Sequence, residues 1–158
     1  MCIRDSSTAI GEFAVATAPG VLAVGRNALA NGARAVAIGQ STAADSDSIA
    51  MGEFAQASGR DSIAIGTQAE ASGTDTIAFG DAAQAITEES TAIGGGSRAG
   101  ALFNGTPTGT EAVAIGFNSH ALGTGNLAIG TNATSGRPVN MRDSELSLIH
   151  ISEPTRPY

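Results

Sequence analysis

Ser62-Ile63-Ala64-Ile65-Gly66 is the segment that decides the fold, because its last three residues belong to a phrase that recurs nine times. The phrase consists of a small residue, an apolar residue and glycine. Its copies follow at intervals of 14 residues, with one interval of 13 and one of 22. A short, fixed period predicts a solenoid, in which each repeat is one coil stacked on the previous coil. The nine phrases end at Gly11, Gly25, Gly39, Gly52, Gly66, Gly80, Gly94, Gly116 and Gly130.

Each repeat predicts two short β-strands. Around Ile63 and Ile65, apolar residues alternate with small ones, and in Ala69-Glu70-Ala71 small residues flank a variable residue that we expect to face solvent. Frequent glycine and the lack of a 3.6-residue period exclude a helix. The sequence therefore predicts a thin all-β solenoid of about nine 14-residue coils, with two sheets around one narrow interior.

The facing of the first strand has two solutions. We expect Ile63, Ile65 and their equivalents to point inward against alanines such as Ala69 and Ala71, because sheets pack roughly 10 Å apart and large residues then meet small ones. The opposite facing would leave an outward stripe of Ile and Phe. Either facing leaves one wall without cover, so we expect an obligate oligomer.

Two coils depart from the period. We place the 13-residue interval at Ala44–Asp47, as a turn shortened by one residue, and the 22-residue interval adds eight residues within Gly100–Thr110. Insertions in repeat rods map to loops at one edge, often the binding edge. Leu102, Phe103 and Asn104 are therefore the candidate ligand-binding residues. The alternative is that Leu102 and Phe103 fold back and cover an exposed coil.

Composition and motifs argue against several function classes. The net charge is −7 and all eight basic residues are Arg, which argues against nucleic acid or an anionic membrane surface as a partner. His120 is the only histidine in residues 7–140, and a lone histidine makes neither a metal site nor a catalytic base. The turn residues Asp45, Asp47, Asp61 and Asp75 lack the spacing of calcium-binding β-rolls. We expect no catalytic, cofactor or metal site and no direct membrane contact.

The two chain ends fall outside the repeat. Met1–Ser6 can be encoded by ATG TGT ATA AGA GAC AG, and Leu146–Ile151 by CTG TCT CTT ATA CAC ATC. One DNA element read in opposite directions gives both strings, and it is similar to the mosaic end of transposon-based sequencing adapters. We interpret residues 1–6 and 146–158 as translated adapter, leave 141–145 unassigned and place the native domain at residues 7–140.

Ser62–Gly66 followed by Ala69-Glu70-Ala71-Ser72-Gly73 resembles the head repeat of YadA-like trimeric autotransporter adhesins, over roughly residues 7–136. The resemblance implies a left-handed parallel β-roll assembled as a homotrimer, with two identical chains as partners. It also implies a bacterial cell-surface location, on an exported fibre anchored in the outer membrane by segments outside this chain. We therefore expect a head fragment.

The resemblance implies a non-catalytic adhesin head that attaches to host extracellular matrix, to cells or other surfaces, or to other copies of itself. The alternative is a structural spacer in a bacterial surface fibre. A third class, ice-binding solenoids, needs a flat array of threonines, which the variable positions do not provide. Whether purified heads coat collagen, fibronectin or cells distinguishes an adhesin from a spacer.

Overall fold

Two long parallel sheets make up most of the molecule. The computed structural model describes residues 6–40, 42–43, 45–103 and 106–136, within which two nine-stranded sheets and one two-stranded hairpin form. Sheet A consists of β1 (Thr8–Ile10), β3 (Leu22–Val24), β5 (Val36–Ile38), β7 (Ile49–Met51), β9 (Ile63–Ile65), β11 (Ile77–Phe79), β13 (Thr91–Ile93), β17 (Val113–Ile115) and β19 (Leu127–Ile129). Sheet B consists of β2 (Val15–Ala16), β4 (Leu29–Ala30), β6 (Thr42–Ala43), β8 (Gln56–Ala57), β10 (Glu70–Ala71), β12 (Gln84–Ala85), β14 (Arg98–Ala99), β18 (His120–Ala121) and β20 (Thr134–Ser135). The hairpin consists of β15 (Ala101–Phe103) and β16 (Thr106–Thr108).

Strands of the two sheets alternate along the chain, so that one strand of each sheet forms one coil. Adjacent coils stack in register: Ala64 of β9 pairs with Ala78 of β11, and Ala71 of β10 pairs with Ala85 of β12. Residues 14 positions apart in the sequence therefore pair with each other in the parallel sheets. The prediction of an all-β parallel solenoid is confirmed. Its left-handed sense and its assembly as a homotrimer stay predictions.

Small side chains fill the interior of the solenoid. Ala64 of β9 and Ala71 of β10 are fully buried, and so are Ser62 and Ala69 in the turns that precede them. Equivalent positions in the other coils hold Ala, Ser or Thr, except for Val21 and Asn126 at the position of Ser62, so the interior is a stack of mostly small-residue layers. The expectation that Ile63 points inward is wrong, and the same correction applies to its equivalents: they lie on the outer face of sheet A.

The size of the coil explains this facing. Each coil contains strands of only two or three residues joined by tight turns, and it encloses four small side chains. A protein interior is already close-packed, so isoleucine at these inward positions would force the two sheets apart. The alternation of Ile and Ala is therefore resolved with alanine inside.

Glycine closes the turn that leads from sheet A to sheet B, which we call the A-to-B turn. In the turn after β9, the Ala69 N–H donates to the Gly66 carbonyl at 3.4 Å. Gly66 has φ +133, and a Cβ there would lie 2.3 Å from the Gly80 carbonyl oxygen of the next coil. Only glycine permits this backbone conformation and this close approach. The requirement explains why the repeated phrase ends in glycine.

In the return connection from sheet B to sheet A, the B-to-A turn, the buried hydroxyl just before the sheet A strand bonds to a carbonyl of the same turn. The Ser62 hydroxyl donates to the Gly59 carbonyl at 2.6 Å, and the Thr76 hydroxyl donates to the Gly73 carbonyl at 2.7 Å. A buried hydroxyl without a partner costs about 1–3 kcal/mol, so these bonds allow Ser and Thr in the interior. The residue just before each hydroxyl lies in the left-handed region, which Asp tolerates. This position accounts for Asp47, Asp61 and Asp75 as turn residues, with φ of 61, 55 and 57.

The shortened coil lacks its residue in the A-to-B turn. Ala43 is fully buried and pairs with Ala30 and Ala57 of the adjacent sheet B strands. Ala43 follows Gly39 by four positions, whereas the equivalent alanines of the neighbouring coils follow their phrase glycine by five. The expectation that the shortened turn is Ala44–Asp47 is therefore wrong. The next B-to-A connection keeps its usual length, because β7 begins six positions after Ala43.

Apart from Ser6, the predicted adapter residues 1–6 and 146–158 lie outside the described residues, as do residues 141–145. Their assignment stays a prediction.

Candidate functional site: an apolar sheet face and an inserted hairpin

A hairpin is inserted into one B-to-A turn, between β14 and β17. β15 and β16 pair antiparallel and form a separate small sheet. The coil keeps its stacking on either side, since the Gly100 N–H donates to the Ala121 carbonyl at 2.9 Å and the Glu111 N–H donates to the Glu88 carbonyl at 3.1 Å. The eight extra residues of the 22-residue interval are therefore Ala101–Thr108.

The hairpin contains the predicted ligand-binding residues. Leu102 and Phe103 lie on β15, whereas Asn104 lies outside the described residues. Their contact with a ligand stays a prediction. The insertion was predicted from the sequence, but its folding as a hairpin was not. The Asn104-Gly105 dipeptide is the signal that indicates one, because Asn-Gly is typical of two-residue hairpin loops.

The two edges of the hairpin differ. Leu102 stands opposite Pro107. Because proline has no N–H, these two residues cannot form a hydrogen-bonded pair, and the N–H and C=O of Leu102 point away from β16. The corresponding outward position on β16 is Pro107 itself, which offers no donor. β15 therefore presents the edge that can pair with further backbone.

The outer face of sheet A is apolar except for Thr8 and Thr91. Each strand presents two outward residues that flank a central alanine: Phe79 is 51% exposed and Ile77 is 38% exposed, whereas Ala78 between them is fully buried. In-register stacking places the outward residues in two columns. One contains Thr8, Leu22, Val36, Ile49, Ile63, Ile77, Thr91, Val113 and Leu127, and the other contains Ile10, Val24, Ile38, Met51, Ile65, Phe79, Ile93, Ile115 and Ile129. A contiguous apolar face of this size indicates an interaction surface.

The outer face of sheet B is different, because most of its central and later strands present polar residues. Gln84 Nε2 donates to Glu70 Oε2 at 3.3 Å, and the Ser72 hydroxyl donates to Glu70 Oε1 at 2.9 Å. Arg98 and His120 follow in register on the next two strands. These partly exposed groups suit contact with water, so the two outer faces of the roll are chemically distinct.

Exposed aromatic residues lie in the A-to-B turns. Phe13 is 72% exposed, Phe54 is 48% exposed and Phe117 is 65% exposed. The Phe117 ring lies beside Gly95 of the preceding coil, where a Cβ on Gly95 would stand 3.5 Å from the ring. These residues were not predicted as surface features from the sequence, although each follows a phrase glycine by one or two positions.

A shallow cleft of about 390 Å³ lies at the foot of the hairpin, lined by residues 72–74, 86–88 and 109–110. The Thr87 hydroxyl is buried there without a hydrogen-bond partner, and Glu88 is the one ionisable residue of the lining. Within the described ranges, no group of three or more His, Cys, Asp or Glu is arranged to hold a metal ion. In the same part of the chain, no helix has the length and apolar character of a membrane span.

One exposed ion pair links two successive B-to-A turns. Arg34 donates through Nε and Nη2 to the carboxylate oxygens of Asp47. Hydrogen bonding from Arg34 holds the pKa of Asp47 below its usual value, and the same bond raises the pKa of Arg34. Because both groups are in contact with water, the pair adds little to overall stability. It does mark the acid-sensitive contact between these turns.

The comparison with protein families matches five segments of the chain to the YadA head domain repeat (2 copies). The matched segments are residues 5–28, 22–42, 46–69, 71–97 and 108–134, which together exceed half of the chain. The unmatched residues 98–107 contain most of the hairpin, so the hairpin is an addition to the repeat. No curated protein matches the chain.

Proposed function

The chain belongs to the YadA head domain family, and on that premise we propose that it is a non-catalytic adhesin head displayed on a bacterial cell surface. Its fold supports a rod that presents surfaces rather than a reaction centre. We propose attachment to host extracellular matrix, to cells or other surfaces, or to further copies of the head. The observation that carries the proposal is the family match to a solenoid with one uncovered apolar face.

We propose further that three chains assemble around a threefold axis through the outer faces of sheet A. Nine strands at the usual spacing make this face about 40 Å long. Burying the exposed half of a side chain such as Phe79 contributes about 1 kcal/mol, and each chain offers two columns of such residues. The polar outer face of sheet B then faces solvent. Trimer assembly therefore accounts for the difference between the two faces.

The hairpin is the candidate for ligand contact, through Leu102, Phe103 and Asn104. It is the larger of the two departures of the described rod from the repeat, and a binding function needs a feature that a uniform spacer lacks. In a trimer it occurs three times at one level of the rod. Three weak contacts to one surface then act together and raise the overall affinity.

A binding assay with a matched deletion tests this function. Deleting residues 101–108 joins Gly100 to Gly109 and restores the 14-residue interval, so we expect the coil to close as its neighbours do. The full chain, the deletion variant and a Gln56→Ser control on the outer face of sheet B are applied to immobilised collagen, fibronectin and whole cells. We expect the full chain and the control to bind at least one surface, and the deletion to lose about tenfold or more.

Two results contradict the proposal in different ways. If the full chain binds none of these surfaces and its trimers do not associate with one another, the spacer function is favoured. If the deletion variant binds as well as the full chain, the adhesin function stands but the hairpin is not its contact site.

A further inference from the structure

The coil that bears the hairpin also has an unusual A-to-B turn, formed by Gly94, Gly95 and Gly96. Gly94 is the phrase glycine, and a Cβ there would lie 2.4 Å from the Gly116 carbonyl oxygen. The stacking of the roll does not require the other two glycines. A Cβ on Gly95 would make an ordinary contact at 3.5 Å, and one on Gly96 would have no neighbour closer than 3.8 Å.

Other coils confirm that these two positions accept side chains. The position of Gly95 is occupied by Arg26 and Thr67 in other coils, and the left-handed position of Gly96 by Asn27 and Gln68. Gly96 is left-handed (φ +65), where glycine avoids a backbone cost of about 1–2 kcal/mol. Gly95 has neither a left-handed backbone nor a steric need for glycine, so its conformational entropy weakens this turn. Glycine at such a place is typical where another backbone approaches closely.

Threefold assembly would bring this turn level with the hairpin of the next chain. Cyclic interfaces are head to tail, so the edge where sheet A strands end in one chain adjoins the edge where they begin in the next. The A-to-B turn of Gly94–Gly96 follows β13, and the hairpin precedes β17, the next strand of the same sheet. Both features therefore lie at the same height on the rod, on edges that would face each other.

We propose that the open edge of β15 in one chain lies against the Gly94–Gly96 turn of the neighbouring chain, next to the exposed ring of that chain's Phe117. The N–H and C=O of Leu102 point out of this edge, whereas Pro107 removes the donor from the opposite edge. The hairpin thereby fastens adjacent chains. This inference rests on the proposed trimer, and it makes the ligand-contacting surface a composite of two chains.

Limited proteolysis of the full chain tests the contact. Gly95→Arg fills the turn with a side chain that the equivalent Arg26 shows to be compatible with the coil. Thr67→Arg is the matched control, because it makes the same charge change at the exposed equivalent position of a coil without a hairpin. Chymotrypsin cleavage after Leu102 or Phe103 is followed by mass spectrometry, and the mass of each protein is measured by sedimentation.

We expect trimers in all three proteins and cleavage in the hairpin about tenfold faster in Gly95→Arg than in the unchanged chain, with Thr67→Arg unchanged. If Gly95→Arg does not assemble, Gly95→Ser provides the same comparison with a smaller side chain. Equal cleavage rates in trimeric proteins would overturn the hairpin contact alone. A monomeric unchanged chain would overturn both the contact and the proposed trimer.

Discussion

Replacing Gly66 by alanine measures how strongly the repeated glycine holds the coils together. Its φ of +133 lies in a region that is essentially restricted to glycine, and the new Cβ would stand 2.3 Å from the Gly80 carbonyl oxygen. The two coils cannot simply move apart, because the Gly80 N–H donates to the Ile65 carbonyl at 2.8 Å. Backbone strain costs about 1–3 kcal/mol, and with the steric clash we expect a loss of about 3–5 kcal/mol in unfolding free energy.

The control is Gly125→Ala. Gly125 has φ +66, and a Cβ there would have no neighbour within 4 Å. Its cost is therefore that of the left-handed conformation alone, about 1–2 kcal/mol. Urea unfolding followed by circular dichroism at one fixed chain concentration compares the two variants, with a second probe to check two-state behaviour. A loss in Gly66→Ala no larger than that in Gly125→Ala would refute the reasoning about coil stacking.

Three further changes test the interior and the turns. Ala64→Leu overfills the interior and should lower the unfolding free energy by about 1–3 kcal/mol. Gln56→Leu on the outer face of sheet B should change the unfolding free energy by no more than about 0.5 kcal/mol. An equal loss in both variants, measured by urea unfolding, would argue against alanine inside. Ser62→Ala removes the donor to the Gly59 carbonyl and should cost about 1 kcal/mol in the same assay, so an unchanged midpoint would count against that bond. For Asp47, whose pKa is depressed in the folded state, the stabilisation is present above the unfolded pKa of about 3.9 and is lost as the pH falls through the lower folded value. Asp47→Asn should therefore lie below the unchanged chain in thermal midpoint at about pH 7 and approach it at about pH 2; a gap that persists in acid would contradict this.

The repeat period was sufficient to predict the solenoid, because residues one period apart in the sequence pair directly with each other in a parallel sheet. The facing of sheet A strands was not predictable from alternation alone. Alternation of Ile63 and Ala64 fits either orientation, and the decision depends on the room inside a coil, which the turns determine. The sheet A face was therefore predicted only as one of two alternatives.

The irregular coils show a similar limit. Alignment on the phrase glycine assigns the missing residue to the wrong turn, because the buried Ala43, and not the glycine, sets the register of sheet B. The insertion was predicted from the length of the 22-residue interval, and Leu102 and Phe103 do lie within it, on β15. That the hairpin and Gly95 lie at the same height on the rod becomes visible only in the stacked coils, because no local sequence pattern connects them.

Sedimentation equilibrium of the 158-residue chain most directly tests the central claim, which is that three chains assemble and bury the apolar outer faces of sheet A. The chain has a mass of 15.6 kDa, and we predict a single species of three times that mass, about 47 kDa. A stable species of 15.6 kDa at micromolar concentration would contradict the account, since the exposed columns of sheet A would then face water.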